Sequence, residues 1–546
     1  MLDTEKTFAS LSEEYVEVSL RHDPVAATMA GIHDYDSRYP DHSPDGVRER
    51  SAWLRDFDQR LVASVPWKEL PTAQRVDFAL LRSRLAVARA DLDEIKVHSR
   101  NPVMPAETAL YGIFLLMGRP FAPLEERKEA LLARLMAVPD YLEGARASLQ
   151  RVPPLFLEIA AAVNGSGPGY VDEVMRQLLR AFPAEGERIE HAGGRARVGF
   201  LQYQEWLDRE IRQRAGGDFA IGKRWMDWRL EHEHLVGARC DDLEAFGREH
   251  IARTLEELEL EARALDPART WREQIAVAKS RHPEPLRVRE AYLAEVDRAR
   301  TFVEARRLVP IPAAPLEVVD TPVFERPTTP YASYLPPAPF DEEQTGWLFV
   351  TPVDLGRPRE IQEQQLRGHC LAGLPLIAVH EAWPGHHVQI ATAHAHGSRL
   401  RRLADNPLLQ EGWALYCEEL MHEHGYYTDR TTRLYQLKEL LWRACRVVVD
   451  VGLHAGRMSV AEAVEFLVEH ALIERVNAEM EVRRYALTPT RPLSFLLGKT
   501  MLLDLRDETR RRLGARFDLN GFHAALLASG SVPPTLIREE LSERLP

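Results

Sequence analysis

The chain has 546 residues, of which 45% are hydrophobic and 28% charged. This composition is typical of a soluble globular protein, and the length predicts more than one compact lobe. A formal net charge of −13 argues against a nucleic acid as the main partner, because phosphate binding requires a positively charged surface.

The N-terminal sequence MLDTEKTFASLSEEYVEVSL lacks the basic start and the apolar run of a signal peptide. No stretch approaches the roughly 18 uninterrupted apolar residues of a membrane-spanning helix. The four cysteines are scattered singly, without the spacing of a metal knuckle or a disulfide framework. These features predict a cytoplasmic protein with reduced, buried cysteines and no membrane partner, and they leave its oligomeric state open.

Helical periodicity dominates the chain. It is clearest in segments 72–95, 241–265 and 430–456, where apolar residues recur at three- and four-residue spacings with charged residues between them. We therefore predict a mainly α fold of long amphipathic helices that pack against each other.

One segment breaks the helical pattern. Prolines cluster within 308–358, and the short runs LEVVD and GWLFVTPVD suit strands better than helices. We predict a small sheet at 316–352, inserted directly ahead of a histidine-rich motif. A boundary near 280–310 would separate an N-terminal helical part, 1–300, from a C-terminal part, 301–546, and the two parts could share one cleft.

The strand sequence TGWLFVTPV has two possible roles. As an edge strand, it would pair with the main chain of an extended peptide. The alternative is an ordinary structural hairpin.

The motif itself is AVHEAWPGHHVQ, Ala378–Gln389. A zinc peptidase helix normally carries its second histidine four residues after the first, but Pro384 occupies that position here. Pro384 cannot donate a backbone hydrogen bond to the carbonyl of His380, and Gly385 can adopt backbone angles closed to other residues. Together they predict a bulge or kink just after Glu381.

Either of two adjacent histidines could return to the face of His380. Without distortion His387 lies nearly in phase but about 10 Å along the helix axis, whereas His386 is closer and needs the bulge to turn it. We expect one of them to bind metal and the other to contact substrate or a ligand.

A following helix, NPLLQEGWALYCEELMHEHG, would supply the third donor. Asn406 suits its N-cap and Pro407 its first turn. Glu411 and Glu418 share one face of this helix. We assign Glu411 as the third ligand of a zinc site, and Glu418 either orients a ligand imidazole or is a solvated charge. The competing interpretation of the whole motif is a core helix with satisfied histidines.

The motif HEAWPGHHVQ followed by EGWALYCEEL resembles the bacterial domain-of-unknown-function family 885. The early DPVAATMAGIHDYDSRYPDHSPD and the late EVRRYALTPTRPLSFLLGK also resemble it, so the likeness covers most of the chain. That family is similar to helical zinc peptidases of the angiotensin-converting enzyme and thimet oligopeptidase type. The resemblance implies two helical halves around a deep cleft, a short sheet beside the metal-binding helix, and one Zn²⁺ per chain.

The resemblance also implies roles for residues of the motif. His380, one of His386 and His387, and Glu411 would hold the metal, and Glu381 would be the general base. In the late segment Phe495 stands where the family more often has a tyrosine, which puts substrate preference and activity level in question.

We therefore expect a zinc-dependent metallopeptidase that cleaves short peptides through a metal-activated water. Besides the histidine that does not bind metal, the candidate donors to the developing oxyanion are Tyr485, Arg484 and Tyr426, and each could instead be ordinary packing or surface charge. The alternatives are a metal-dependent hydrolase of other amide or ester bonds and a catalytically silent peptide-binding scaffold.

Overall fold

A computed structural model describes residues 2–322, 326 and 331–546 of the chain. Its secondary structure is 72% helix and 3% strand, which confirms the predicted mainly α class with one small sheet. None of the described helices is long and apolar enough to cross a bilayer. All four cysteines are buried and unpaired.

The chain forms two compact units, residues 1–219 with 338–343 and residues 220–337 with 344–546. The division at 219 differs from the predicted one near 300. The reason is a shared core, because Cys240 and Leu243 pack in one apolar cluster with Leu408, Val447 and Leu493. The segment after 219 therefore belongs with the helices that follow the histidine-rich motif.

In its described part, the first unit contains helices and loops but no strand. Its helices are α1 (Leu2–His22), α2 (Pro24–Ala30), α3 (Pro44–Ser64), α4 (Thr72–Arg89), α5 (Val97–Arg100), α6 (Val103–Gly118), α7 (Leu124–Ser148), α8 (Pro154–Gly165), α9 (Gly167–Ala181) and α10 (Gly186–Arg209), with a π-helical turn at Ala90–Glu94 and 3₁₀ turns at Trp67–Glu69, Pro183–Glu185 and Ile211–Arg214.

A buried cation ties this unit together. Arg134 is fully buried, and its guanidinium donates to the carbonyl of Gly112 at 2.7 Å and to the hydroxyl of Thr28 at 2.6 Å. Because α2, α6 and α7 each contribute one of these residues, the arginine links three helices while its own polar groups stay satisfied.

The second unit carries the remaining helices and the sheet. Its helices are α11 (Lys223–His232), α12 (Cys240–Leu265), α13 (Trp271–Lys279), α14 (Val288–Arg306), α15 (Arg359–Gly368), α16 (Leu374–Ile377), α17 (His386–His394), α18 (Arg399–Arg402), α19 (Pro407–Glu423), α20 (Arg430–His454), α21 (Val460–Ala471), α22 (Arg475–Leu487), α23 (Arg491–Leu513), α24 (Leu519–Leu527) and α25 (Pro534–Arg544), with a π-helical turn at Ala378–Ala382 and 3₁₀ turns at Pro285–Arg287 and Gly514–Arg516.

The sheet has three strands, β1 (Leu316–Asp320), β2 (Ala332–Leu335) and β3 (Gly346–Val350), in the order β1-β3-β2. It lies within the predicted segment 316–352, of which residues 323–325 and 327–330 lie outside the described residues. β3 pairs with β1 in parallel and with β2 antiparallel. The prediction that β3 is an edge strand open to a peptide is therefore wrong, because neighbours occupy both of its sides.

Helices α19 and α23 pack closely against each other next to the histidine-rich motif. α19 begins as predicted, with Asn406 accepting a hydrogen bond from the backbone N–H of Leu408 and Pro407 in the first turn. A Cβ at Gly498 of α23 would lie 2.0 Å from the carbonyl oxygen of Leu408. This glycine lets the two helix backbones approach closely and brings the start of α23 beside the start of α19.

Candidate metal centre

The first histidine of the motif lies in a distorted turn. His380 is at the centre of the π-helical segment Ala378–Ala382, and regular helix resumes only at His386. The predicted bulge is thus present, although it includes Glu381 rather than beginning after it. Wide turns of this kind occur frequently at functional sites because they redirect side chains.

The loop between the two helical segments is held from both sides. A Cβ at Gly385 would lie 2.0 Å from the carbonyl oxygen of His380, so the chain can fold back this closely only at a glycine. Trp413 of α19 donates its indole N–H to the carbonyl of Pro384 at 2.9 Å. The helix that carries the carboxylates therefore also positions the loop.

Three side chains converge as a result. Nε2 of His380 lies 4.0 Å from Oε2 of Glu411, and Nε2 of His386 lies 3.4 Å from the same oxygen. The two imidazole rings meet edge to face with centroids 4.9 Å apart. One nitrogen from each histidine and one carboxylate oxygen of Glu411 all lie within 4.8 Å of one another. Within the described part of the chain, these three residues form the cluster of side chains that could bind a metal ion.

Glu418 supports the first of these histidines. Its Oε1 lies 2.8 Å from Nδ1 of His380, and its side chain is 4% exposed. Because a carboxylate accepts the hydrogen bond, Nδ1 carries a proton, and in the neutral imidazole the lone pair then lies on Nε2, on the side of Glu411. This arrangement fixes the tautomer and orientation that a metal ligand requires.

Electrostatics strengthen the pairing inside the triad. Burial alone would raise the pKa of Glu411, but the hydrogen bond and charge of His386 outweigh it, and with Arg491 and His380 they lower that pKa to about 2. Burial opposes protonation of His386, yet Glu411 raises its pKa. The carboxylate is therefore ionised at neutral pH and attracts positive charge to this point.

The donor set fits a divalent transition metal such as zinc. Two imidazoles and one carboxylate form a catalytic type of zinc site, in which a further position stays open. Nδ1 of His386 is buried and has no hydrogen-bond partner among the described residues, so the polar contact of this ring is on the side of the triad. His380, His386 and Glu411 would hold the ion.

His387 belongs to a different contact. Its ring is fully buried, with Nε2 3.0 Å from the carbonyl oxygen of Ala314 and Nδ1 2.9 Å from the hydroxyl of Tyr334. Consecutive residues of a helix point about 100° apart, so His386 and His387 cannot both face Glu411. Of the two candidates it is His386 that joins the triad, and His387 ties the loop to β2 and to the segment before β1.

Glu381 lies next to His380 in the π-helical turn. Its side chain is half-buried, and its charge is among those that act on His386. The carboxylate is thus within electrostatic range of the triad without being one of its members.

Each of the three predicted oxyanion donors has a partner outside the triad. The Tyr485 hydroxyl is 2.8 Å from Nε of Arg446, from which it accepts a hydrogen bond. Arg484 is half-exposed and pairs with Glu481 at 2.6 Å.

The third donor, Tyr426, donates to Oε1 of Glu295 at 2.6 Å. It follows the C-terminal end of the 17-residue α19, whereas Glu411 lies in the second turn of that helix. At about 1.5 Å per residue, the length of the helix separates them.

Two arginines near the triad were not predicted from the sequence. Nη2 of Arg491 lies 3.3 Å from Oε1 of Glu411, and Arg446 is buried on α20 with Glu411 among the charges that act on it. Arg491 lies in the late segment that carried the family resemblance. Arg446 stands one helical turn after Trp442 and directly before the apolar run Val447–Val449, and that pattern was the available signal.

The chain is similar in fold to two solved structures. A candidate lipoprotein of unknown function from Shewanella oneidensis is 24% identical, with a TM-score of 0.82 over 98% of this chain and 99% of that one. A second candidate lipoprotein, from Colwellia psychrerythraea, is 19% identical, with a TM-score of 0.85 over 100% of both chains. These likenesses show a shared fold.

No curated protein matches the chain. One family model matches residues 24–541, nearly the whole length, and its description is "Bacterial protein of unknown function (DUF885)". The chain belongs to the DUF885 family.

Proposed function

We propose that this protein is a zinc-dependent hydrolase that cleaves amide bonds in short peptides. The observation that carries the proposal is the convergence of His380, His386 and Glu411 on one point, with Glu381 adjacent in sequence to the first of them. When bound there, a zinc ion supplies a Lewis acid for a carbonyl group and lowers the pKa of water.

The protein's own side chains would transfer the proton and hold the metal-binding groups in position. Glu381 would accept a proton from the attacking water and pass it to the leaving nitrogen. Glu418 would hold His380 in one tautomer throughout, because the hydrogen bond to Nδ1 does not depend on the substrate. His386 and Glu411 would keep their mutual orientation through their own contact.

The restricted access of the triad favours a thin substrate. The side chains of His380, His386 and Glu411 are 11%, 13% and 12% exposed. An extended segment of peptide could reach such groups, whereas the surface of a folded protein could not. This supports short peptides as the substrate class.

The test combines metal analysis with a fluorogenic peptide library. We expect close to one zinc ion per chain and cleavage that a chelator stops and added zinc restores. Glu411→Ala should lose the metal, whereas Glu381→Gln should keep it and lose turnover. Cleavage that survives the chelator, or turnover retained in Glu381→Gln, would contradict the proposal, and peptide binding without cleavage would indicate a silent scaffold.

A further inference from the structure

Arg446 is a buried cation enclosed by aromatic rings. Only 4% of the surface of Arg446 is exposed to solvent. The guanidinium carbon lies 4.2 Å from the ring centroid of Trp442, 4.6 Å from that of Phe495 and 5.7 Å from that of Tyr485. Such surroundings stabilise the charge and hold the planar group in one orientation.

The hydrogen bonds of this guanidinium are incomplete. Nε donates to the hydroxyl of Tyr485 at 2.8 Å, and Nη2 lies 3.3 Å from a carboxylate oxygen of Glu481. Nη1 donates to no residue in the described part of the chain, and this nitrogen is not fully shielded from solvent. A buried arginine whose free nitrogen opens to solvent offers two N–H donors to an incoming acceptor.

The charges around Arg446 do not balance. Glu481 is shared between Arg446 and Arg484. Two turns earlier on α20, Glu439 is likewise shared between Lys438 and Arg443. Because Glu481 is divided between two cations, the charge of Arg446 is only partly compensated by it, which favours an anionic ligand at this residue.

The arginine lies close to the metal centre. Phe495, which packs on Arg446, stands one turn after Arg491 on α23, and Arg491 contacts Glu411. Burial would lower the pKa of the Arg446 guanidinium, but Tyr485, Glu481 and the Glu411 carboxylate together raise it. A short peptide held at the triad could therefore reach this cation with one of its ends.

We propose that Arg446 is a specificity-determining residue that binds the free C-terminal carboxylate of a short peptide. The inference rests on the proposed peptidase function, which it narrows to substrates cleaved near a free C-terminus. Tyr485 is then a positioning residue, because its hydroxyl fixes Nε and directs Nη1 outward. In this arrangement Phe495 provides the flat surface beneath the guanidinium and needs no hydroxyl.

The test measures binding and does not depend on turnover. Calorimetric titration of the zinc-loaded Glu381→Gln protein would use N-acetyl-Ala-Ala as the free acid and as the C-terminal amide. A charge-assisted hydrogen bond predicts that the acid binds at least about tenfold more tightly than the amide. Equal affinity for the two, or no binding of either, would overturn the inference.

Variants made in the same background locate the preference. Arg446→Gln should reduce the acid-to-amide ratio to near one. Tyr485→Phe removes only a hydroxyl and should reduce the ratio in part, which keeps the test valid if Arg446→Gln does not fold. Arg475→Gln is the matched control, because Arg475 lies on the same helix as Tyr485 but is 53% exposed and pairs with exposed Glu465. A preference unchanged in both Arg446→Gln and Tyr485→Phe would assign the carboxylate to another group.

The two proposals can fail separately. A wild-type protein that cleaves no peptide while the acid-to-amide preference persists would contradict the hydrolase function and retain the carboxylate site. Cleavage with no such preference would retain the hydrolase and overturn the role of Arg446.

Discussion

Oε1 of Glu418 lies 2.8 Å from Nδ1 of His380, while Nε2 on the other side of the same ring faces Glu411 at 4.0 Å. Both carboxylates project from one face of α19. One helix therefore supplies one member of the triad and also the group that orients another, so any shift of α19 would affect both.

Removing the orienting group should weaken metal binding. We expect Glu418→Ala to lower zinc affinity by about 10- to 100-fold, the usual effect of losing such a partner. Glu418→Gln is the matched control, because its amide oxygen can still accept from Nδ1 and its effect should be smaller. Chelator competition would measure both, and equal affinities in Glu418→Ala and the wild type would contradict the assignment.

The two adjacent histidines should differ in their effects. His386→Ala should abolish stoichiometric zinc binding. His387→Ala should retain zinc and cost about 1–3 kcal/mol of unfolding free energy, because it leaves the carbonyl of Ala314 and the hydroxyl of Tyr334 without their partner. Metal analysis and urea denaturation would separate the two, and zinc loss confined to His387→Ala would reverse their roles.

The loop glycine should tolerate no side chain. In Gly385→Ala the new Cβ would clash with the backbone oxygen of His380 at 2.0 Å. We expect the free energy of unfolding to fall by at least about 1–3 kcal/mol. We also expect the variant to bind less zinc than the wild type. Gly397→Ala is the control, because a Cβ there meets nothing within 4 Å; similar stability and zinc content in both variants would show that the close approach is not required.

A buried ion pair outside the triad should contribute strongly to the free energy of unfolding. Arg401 and Glu540 pair at 2.6 Å with side chains 0% and 3% exposed. Glu540→Ala would remove the carboxylate that balances the charge of this buried arginine, which costs about 3–5 kcal/mol. Urea denaturation at pH 7 would measure this loss. Glu465→Ala, which breaks an exposed pair with Arg475, should have a far smaller effect because solvent screens that pair.

The same pair predicts a pH dependence. Burial would raise the pKa of Glu540, but the hydrogen bond from Arg401, with help from Ser529 and Arg544, lowers it. A lowered carboxyl pKa stabilises the folded state above the unfolded value of about 4.3, and this stability is lost as pH falls below it. The difference between wild type and Glu540→Ala should therefore narrow from pH 7 toward pH 3, and a constant difference would contradict this origin.

Much of the architecture could be predicted from local sequence. The three periodic segments at 72–95, 241–265 and 430–456 are helical, apart from a π turn at the end of the first, and the proline-rich stretch holds the sheet. These features were accessible because a helix or a strand is largely specified by the spacing of its own apolar residues. The cap at Asn406 is equally local, since it involves only the first turn of α19.

The sequence by itself determined the positions of the HE motif and of the two glutamates on the following helix, because Glu411 and Glu418 are two turns apart on one helix face. Only the tertiary structure decided between His386 and His387, since the direction in which the chain leaves Pro384 depends on Trp413 in another helix. The pairing of both sides of β3 and the approach of Phe495 and Tyr485 to Arg446 were likewise decided by contacts between residues distant in sequence. Contacts of this kind depend on packing between elements, which the spacing of residues within one element does not encode.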